Sequence, residues 1–300
     1  MHRILLPLFA ILMATYGVNA ADEPPFIEYQ PGTLPLILAA PHGGTLRPAD
    51  VPNRSFGRVA QDSNTAEITL ALAAQLEAKT GQRPHVILCR LHRTKVDCNR
   101  EIKEAAQGDP AAETAWHEFH DACIQACETV TKDHGCGLFL DIHGHRHEEP
   151  RVELGYLLTA AQLTSSNSLL DADPAALSST SIKELITRSG RSLSALVRGP
   201  NSLGSLLEAR SFLCVPSPSK AAPTPGADYF SGAYDVQAHG SRDAGSVSAI
   251  QVECPWKGVR DTEANRKVFV EALADSWFNT SLPSSKCRWQ RSNVKLKGHD

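Results

Sequence analysis

Leu138-Phe-Leu-Asp-Ile-His-Gly-His145 is the stretch on which the fold turns. The apolar run from Cys136 to Leu140 reads as a buried strand, with Asp141-Ile142-His143 at its carboxyl end. In open α/β sheets that end is where ligands bind. Gly144 lets the backbone turn sharply, so His143 or His145 can face a crevice. A neutral imidazole placed there is a natural zinc ligand, and a nearby carboxylate would fix its tautomer. The competing reading is a buried histidine hydrogen-bonded to Asp141.

The same pattern occurs upstream. Leu36-Ile-Leu-Ala-Ala40 reads as a short buried strand that ends in Pro41-His42-Gly43-Gly44. His-Gly-Gly is similar to the oxyanion loop of esterases, but that chemistry needs a Gly-x-Ser-x-Gly elbow, which the chain lacks. A second reading makes His42 a first metal ligand, and a third makes it a loop histidine beside turn glycines. Next, Asp62-Ser-Asn-Thr-Ala-Glu67 precedes an apolar helix carrying Ile68, Leu70, Leu72 and Leu76. Thr65 can cap that helix, and Glu67 then sits in the first turn, where the helix dipole favours an acid. In the functional alternative, Asp62 or Glu67 supplies a carboxylate to a metal.

Further along, His85 to Leu91 reads as a strand running into Arg93-Thr-Lys-Val-Asp-Cys-Asn-Arg100. Two arginines and an asparagine at a strand end read either as a clamp for a carboxylate or as a solvated basic edge. Pro110 opens a helix to Lys132 with an apolar stripe of Trp116, Phe119, Cys123, Ala126 and Val130. His117 and His120 on it read as surface or half-buried residues. Arg151 to Leu158 alternates like a strand, and the Ser-rich stretch 163–180 reads as a surface excursion. Helices are expected over 182–197 and 203–210. The prolines of 216–226 force an irregular loop toward Tyr229-Phe-Ser-Gly-Ala-Tyr234, which reads as a pocket wall or lid. Val247 to Cys254 reads as a strand ending at Glu253, and 261–278 as an amphipathic helix.

A net charge of −3 over 300 residues gives no reason to expect nucleic acid or an anionic membrane surface as partner. Met1-His-Arg followed by an apolar stretch and Val18-Asn-Ala20 has the layout of a secretory signal peptide, so residues 1–21 are set aside. The expectation is one exported domain over 22–300, secreted or periplasmic, with no membrane insertion after cleavage. Eight cysteines, an even number, in an exported chain suggest disulfides of unknown connectivity. Asn53 and Asn279 begin glycosylation sequons.

Taken in order, Pro-His-Gly-Gly, Asp62…Glu67, Arg93…Val96-Asp97-Cys98-Asn99-Arg100, Asp141-Ile-His143 and Ile250-Gln-Val-Glu253 resemble the N-formylglutamate amidohydrolase family, within the zinc carboxypeptidase-like superfamily. Tyr229-Phe-Ser-Gly-Ala-Tyr234 looks like its aromatic-glycine loop. The resemblance implies a three-layer α/β sandwich with a mixed, mostly parallel sheet of eight strands flanked by helices, and one zinc ion. It implies His42 and His143 as nitrogen ligands, with a carboxylate of the 62–67 segment as third; of Asp62 and Glu67, Glu67 is preferred. It implies Glu253 as general base, and Arg93 polarising the scissile carbonyl. Asn99 and Arg100 would hold a substrate carboxylate, and Tyr234 would border the substrate. The expected activity is hydrolysis of an amide bond in an N-acyl amino acid or peptide-like substrate. A catalytically inactive secreted binding protein on the same fold is the alternative. Cys98 and Cys254 depart from the family pattern and are either bridged or packed.

Overall fold

The computed structural model describes residues 25–279; the signal-peptide segment, Cys287 and the basic tail lie outside them. The fold is α/β. A seven-stranded sheet is formed by β1 (Ile27–Gln30), β2 (Leu36–Ala40), β3 (His85–Cys89), β4 (Gly137–His145), β5 (Val152–Gly155), β6 (Cys214–Val215) and β7 (Val247–Pro255). Their spatial order is β1-β3-β2-β4-β7-β5-β6. The central run β3-β2-β4-β7 is parallel, β1 and β5 join it antiparallel, and β6 pairs parallel with β5. The sheet is therefore mixed and mostly parallel, with one strand fewer among the described residues than the resemblance implies.

Alternation along β4 divides the molecule into layers. Leu138, Leu140 and Ile142 face one core, shared with Ile68, Leu72 and Leu76 of helix Thr65–Thr80 and Phe269 and Leu273 of helix Glu263–Asn279. Phe139 faces the other core, with Ile37, Ala39 and the Phe119–Cys123–Val130 stripe of helix Pro110–His134. The strand period of two puts Asp141, His143 and His145 on that second side. Because the central strands are parallel, their carboxyl ends lie along one edge. His42 follows β2, the 90–100 segment follows β3, His143 stands near the end of β4, and Glu253 near the end of β7. Hence residues more than 200 positions apart meet at one sheet edge.

Departures from the expected elements have local causes. The helix expected over 182–197 is two, Lys183–Ser189 and Leu193–Arg198. Gly190 ends the first in a left-handed conformation, and the Ser192 side chain caps the second. The Ser-rich excursion holds three short helices, capped by Thr159, Ser166 and Asp173, that bury Leu163, Leu170 and Ala176. Cys89, Cys98, Cys123, Cys127, Cys214 and Cys254 are free, so Cys98 and Cys254 are packed rather than bridged. No described helix is long and apolar enough to cross a membrane.

Candidate metal centre and active site

Glycines let three elements converge behind His42. A Cβ at Gly43 would lie 2.6 Å from the Ala66 amide nitrogen at the start of helix Thr65–Thr80. One at Gly44 would lie 2.3 Å from the Arg90 backbone. No side chain fits at either position, so Gly-Gly is what allows the loop after β2 to pass between the helix start and the loop after β3. The Asp62 amide also donates to the His42 carbonyl at 3.1 Å, which holds the 62 segment against it.

The result is a triangle of donors. His42 Nδ1 and His143 Nδ1 are 3.2 Å apart, and each lies 3.3 Å from Asp62 Oδ2. All three side chains are buried. Zinc bonds nitrogen and oxygen at about 2.0–2.2 Å, so the edges of its tetrahedron measure about 3.3–3.5 Å. The triangle matches one face of that tetrahedron. The far ring nitrogens are committed: His42 Nε2 lies 2.6 Å from Asp97 Oδ1, and His143 Nε2 lies 2.7 Å from Asp141 Oδ2. With each Nε2–H donated to a carboxylate, both Nδ1 lone pairs point at one spot, the arrangement that orients metal-binding imidazoles. Without a cation between them these lone pairs repel. The donor set fits zinc.

Glu67, preferred from sequence as the third ligand, is corrected by the structure: it is exposed and belongs to no such cluster, whereas Asp62 does. The helix begins at Thr65, behind an Asn64 cap, and Thr65 is its first residue rather than the cap. That phase puts Glu67 on the exposed side with Ala71, Ala74 and Ala78, away from the buried Ile68, Leu72 and Leu76.

The 90–100 segment supplies the support. Asp97 is fully buried. Its Oδ1 accepts from His42 Nε2 and the Asn99 amide, and its Oδ2 accepts from Arg93 Nε at 2.9 Å, with Arg54 Nη1 at 3.6 Å. Burial works to raise its pKa, but His42, Arg93 and Arg100 outweigh it and hold the carboxyl well below the usual range. Asp62 behaves alike: burial raises it, and hydrogen bonds from His143 and His42 prevail. For His143, burial lowers the pKa, while the Asp141 charge and hydrogen bond raise it well above the ordinary value. The cluster thus draws positive charge to His143 Nδ1.

Asp97→Asn is therefore expected to cost about 3–5 kcal/mol in denaturant unfolding, the penalty for leaving buried cations unpaired. Because the native pKa of Asp97 is depressed, its stabilisation is complete above about pH 4 and fades as pH falls further. The variant should lose that part of the acid dependence. An unchanged unfolding midpoint across pH 3–7 would refute this role.

Next to the triangle opens a cleft of about 120 Å³ whose lining includes His42, Asp62, Arg93, His143, Gln251 and Glu253. Glu253 pairs in register with His143 across β4 and β7, and with Glu153 across β7 and β5, so the three lie in one row. Gln251 Nε2 donates to Glu253 Oε1 at 2.9 Å, while Oε2 is buried without a hydrogen-bond partner. Burial pushes its pKa up to about 8; Asp62, Glu153 and Asp141 add to this and His143 opposes it. A carboxyl with one anchored oxygen and one free oxygen in a cleft can carry a proton.

The other expected residues divide. Arg93 reaches the cleft, but two of its nitrogens contact Asp97 and Nη1 lies 3.8 Å from Asp62 Oδ1. Asn99 also lines the cleft, yet its Oδ1 accepts from the Asp235 amide at 2.8 Å and its Nδ2 lies 3.1 Å from His143 Nε2. Because the nearer Asp141 carboxylate accepts the hydrogen bond from Nε2–H, the Asn99 amide packs beside the ring and positions it. Arg100 is half-buried at the cleft; Nη1 donates to the Asn99 carbonyl and Nε lies 3.5 Å from Glu104. Tyr234 does not border the cleft. It packs against Trp116 and His120, with ring centroids 5.7 and 5.1 Å away, and Phe230, Gly232 and Ala233 line the cleft instead.

Sequence reasoning leaves Asp97 and Gln251 without roles, although Asp97 stands in the quoted Val-Asp-Cys-Asn-Arg motif, and it passes over Arg58, which also lines the cleft. His120 is buried, not surface or half-buried, and the signal for that is Trp116 and Cys123 of the apolar stripe, four residues before it and three after it on the same helix face.

No family model and no curated protein matches the sequence. Among solved structures, the chain is similar to N-formylglutamate amidohydrolase from Ralstonia eutropha JMP134, with a TM-score of 0.49 at 14% identity over 84% of this chain and 97% of that one. A gene product of Agrobacterium tumefaciens gives 0.46 at 14% identity, over 84% and 93%. A bacteriophage poly-gamma-glutamate hydrolase gives 0.38 at 13%, over 84% and 87%.

Proposed function

We propose that this chain is an exported, zinc-dependent hydrolase that cleaves the amide bond of an N-acyl amino acid or peptide-like substrate carrying a carboxylate. One observation carries the reading: two imidazole lone pairs and a carboxylate oxygen, 3.2–3.3 Å apart, share a cleft with the free Oε2 of Glu253. His42, His143 and Asp62 would hold the ion. When bound, zinc in such a site with an open position acts as a Lewis acid and brings the pKa of water to about 7.

The protein's own groups do the rest. Asp97 and Asp141 hold the two imidazoles in the tautomer that presents Nδ1. Glu253 takes a proton at Oε2 from the attacking water and returns it to the leaving nitrogen, with Gln251 fixing Oε1. Arg93, anchored on Asp97, offers positive charge to the carbonyl oxygen, and Arg100 offers a guanidinium to a substrate carboxylate. The small cleft favours a slender acyl group at the reacting carbon.

The test is chelation and reconstitution. Turnover of N-acyl amino acids and short peptides should vanish when metal is removed at neutral pH and return with zinc. Undiminished turnover by demonstrably metal-free protein would reject the proposal.

A further inference from the structure

A second cluster lies on the same side of the sheet. His120 on helix Pro110–His134 meets Asp235 and His239 of the short helix Tyr234–His239, and all three are buried. One donor atom from each lies within 4.8 Å of the others. Asp235 and His239 are four residues apart, so the helix presents them on one side. His120 Nε2 donates to the Cys98 carbonyl at 2.9 Å, leaving Nδ1 with a lone pair, and Nδ1 lies 2.9 Å from His239 Nε2. The carboxylate of Asp235 has no hydrogen-bond partner for either oxygen, although its nearest imidazole nitrogen, His120 Nε2, is 4.0 Å away.

A hydrogen bond from His239 to His120 satisfies the two rings and leaves the carboxylate uncompensated. A buried, unpaired carboxylate is among the most expensive groups a fold can hold. Asp235 also shares its surroundings with Asp141, whose Oδ1 is likewise buried and unpartnered. Two acids side by side call for positive charge between them and the histidines.

We propose that His120, Asp235 and His239 form a second binding site for a divalent transition metal, of the zinc class. Two nitrogens and one oxygen are a zinc-type donor set. The Cys98 carbonyl already orients His120 as such carbonyls orient metal-binding imidazoles. The donor that must turn is Asp235, and its carboxylate has no hydrogen bond to break. A route in exists: His239 lines a cavity of about 440 Å³ beside Cys127 and Glu128, separate from the catalytic cleft. The ion there would neutralise the acids behind His143 and brace the helix Tyr234–His239 against helix Pro110–His134.

The test is metal content of the full chain equilibrated with zinc, measured by elemental analysis. Two ions per chain are expected. His143→Ala should keep one, and Asp235→Asn and His239→Gln should each keep the other. Cobalt titration of the wild-type chain reads the same number without relying on a variant, as two steps of tetrahedral absorption. One ion or none in the wild-type chain, or a second ion retained in His239→Gln, would overturn the proposal and leave a hydrogen-bonded histidine pair beside a protonated Asp235. The outcome is independent of hydrolase activity: loss of turnover with two ions bound would reject the hydrolase reading and keep this site.

Discussion

Glu253→Gln is expected to lower kcat about 10²- to 10⁴-fold, the range that a positioned proton carrier contributes, while leaving the metal bound. The amide preserves the shape of the side chain and removes its ability to take a proton. On the proposed mechanism the base must be ionised, so activity should fall on the acid side as Glu253 protonates. Burial sets its pKa at about 8 without an ion, and a dication at the triangle draws that value down. The stability effect has the opposite sign to that of Asp97. A carboxyl whose native pKa is raised favours the folded state at low pH, and that stabilisation is lost as pH rises from the ordinary carboxyl range toward 8. Metal-free Glu253→Gln should therefore lack this decline and unfold at higher denaturant than metal-free wild type at pH 8. Full activity in the variant would remove Glu253 from the mechanism.

The second large effect separates Asp62 from Glu67. Asp62→Asn replaces the anionic donor with a neutral amide oxygen and should raise the free zinc needed for half-reactivation of the metal-free chain by at least about 100-fold, beyond the 10–100-fold typical of residues that only support a ligand. Glu67→Gln alters an exposed helix position, where substitutions change free energies by about 0.5 kcal/mol or less, so reactivation should shift by no more than about twofold. Reactivation curves for the two variants and wild type decide the matter, and the reverse ranking would restore Glu67.

That pair also marks where the sequence was legible. The strand carrying His143 is readable because alternation and burial are local: Phe139, Asp141 and His143 must share one side whatever the rest of the chain does. His42 was readable because a histidine between a strand and two glycines has few places to go. Glu253 likewise follows from its strand. Asp62 was ambiguous because its direction is set by a loop that receives its shape from His42 and Arg260, the latter hydrogen-bonded through Nη1 to the Ser63 carbonyl 197 residues away. No local pattern encodes that contact. The helix phase could have excluded Glu67, but Ala71, Ala74 and Ala78 are equally at home inside or outside and blur the exposed face. Tyr234 was misplaced because six residues without a side-chain cap do not announce a helix, so the aromatic loop was read one residue too far. The two-residue strand β6 is too short to show any period.

The most direct test of the central claim is an anomalous difference map at the zinc edge from crystals of the zinc-loaded protein. The account predicts a peak about 2.0–2.2 Å from His42 Nδ1, His143 Nδ1 and Asp62 Oδ2, with the cleft and Glu253 on its open side. A map without a peak between these three atoms, or with Glu67 as the carboxylate beside it, would contradict the account.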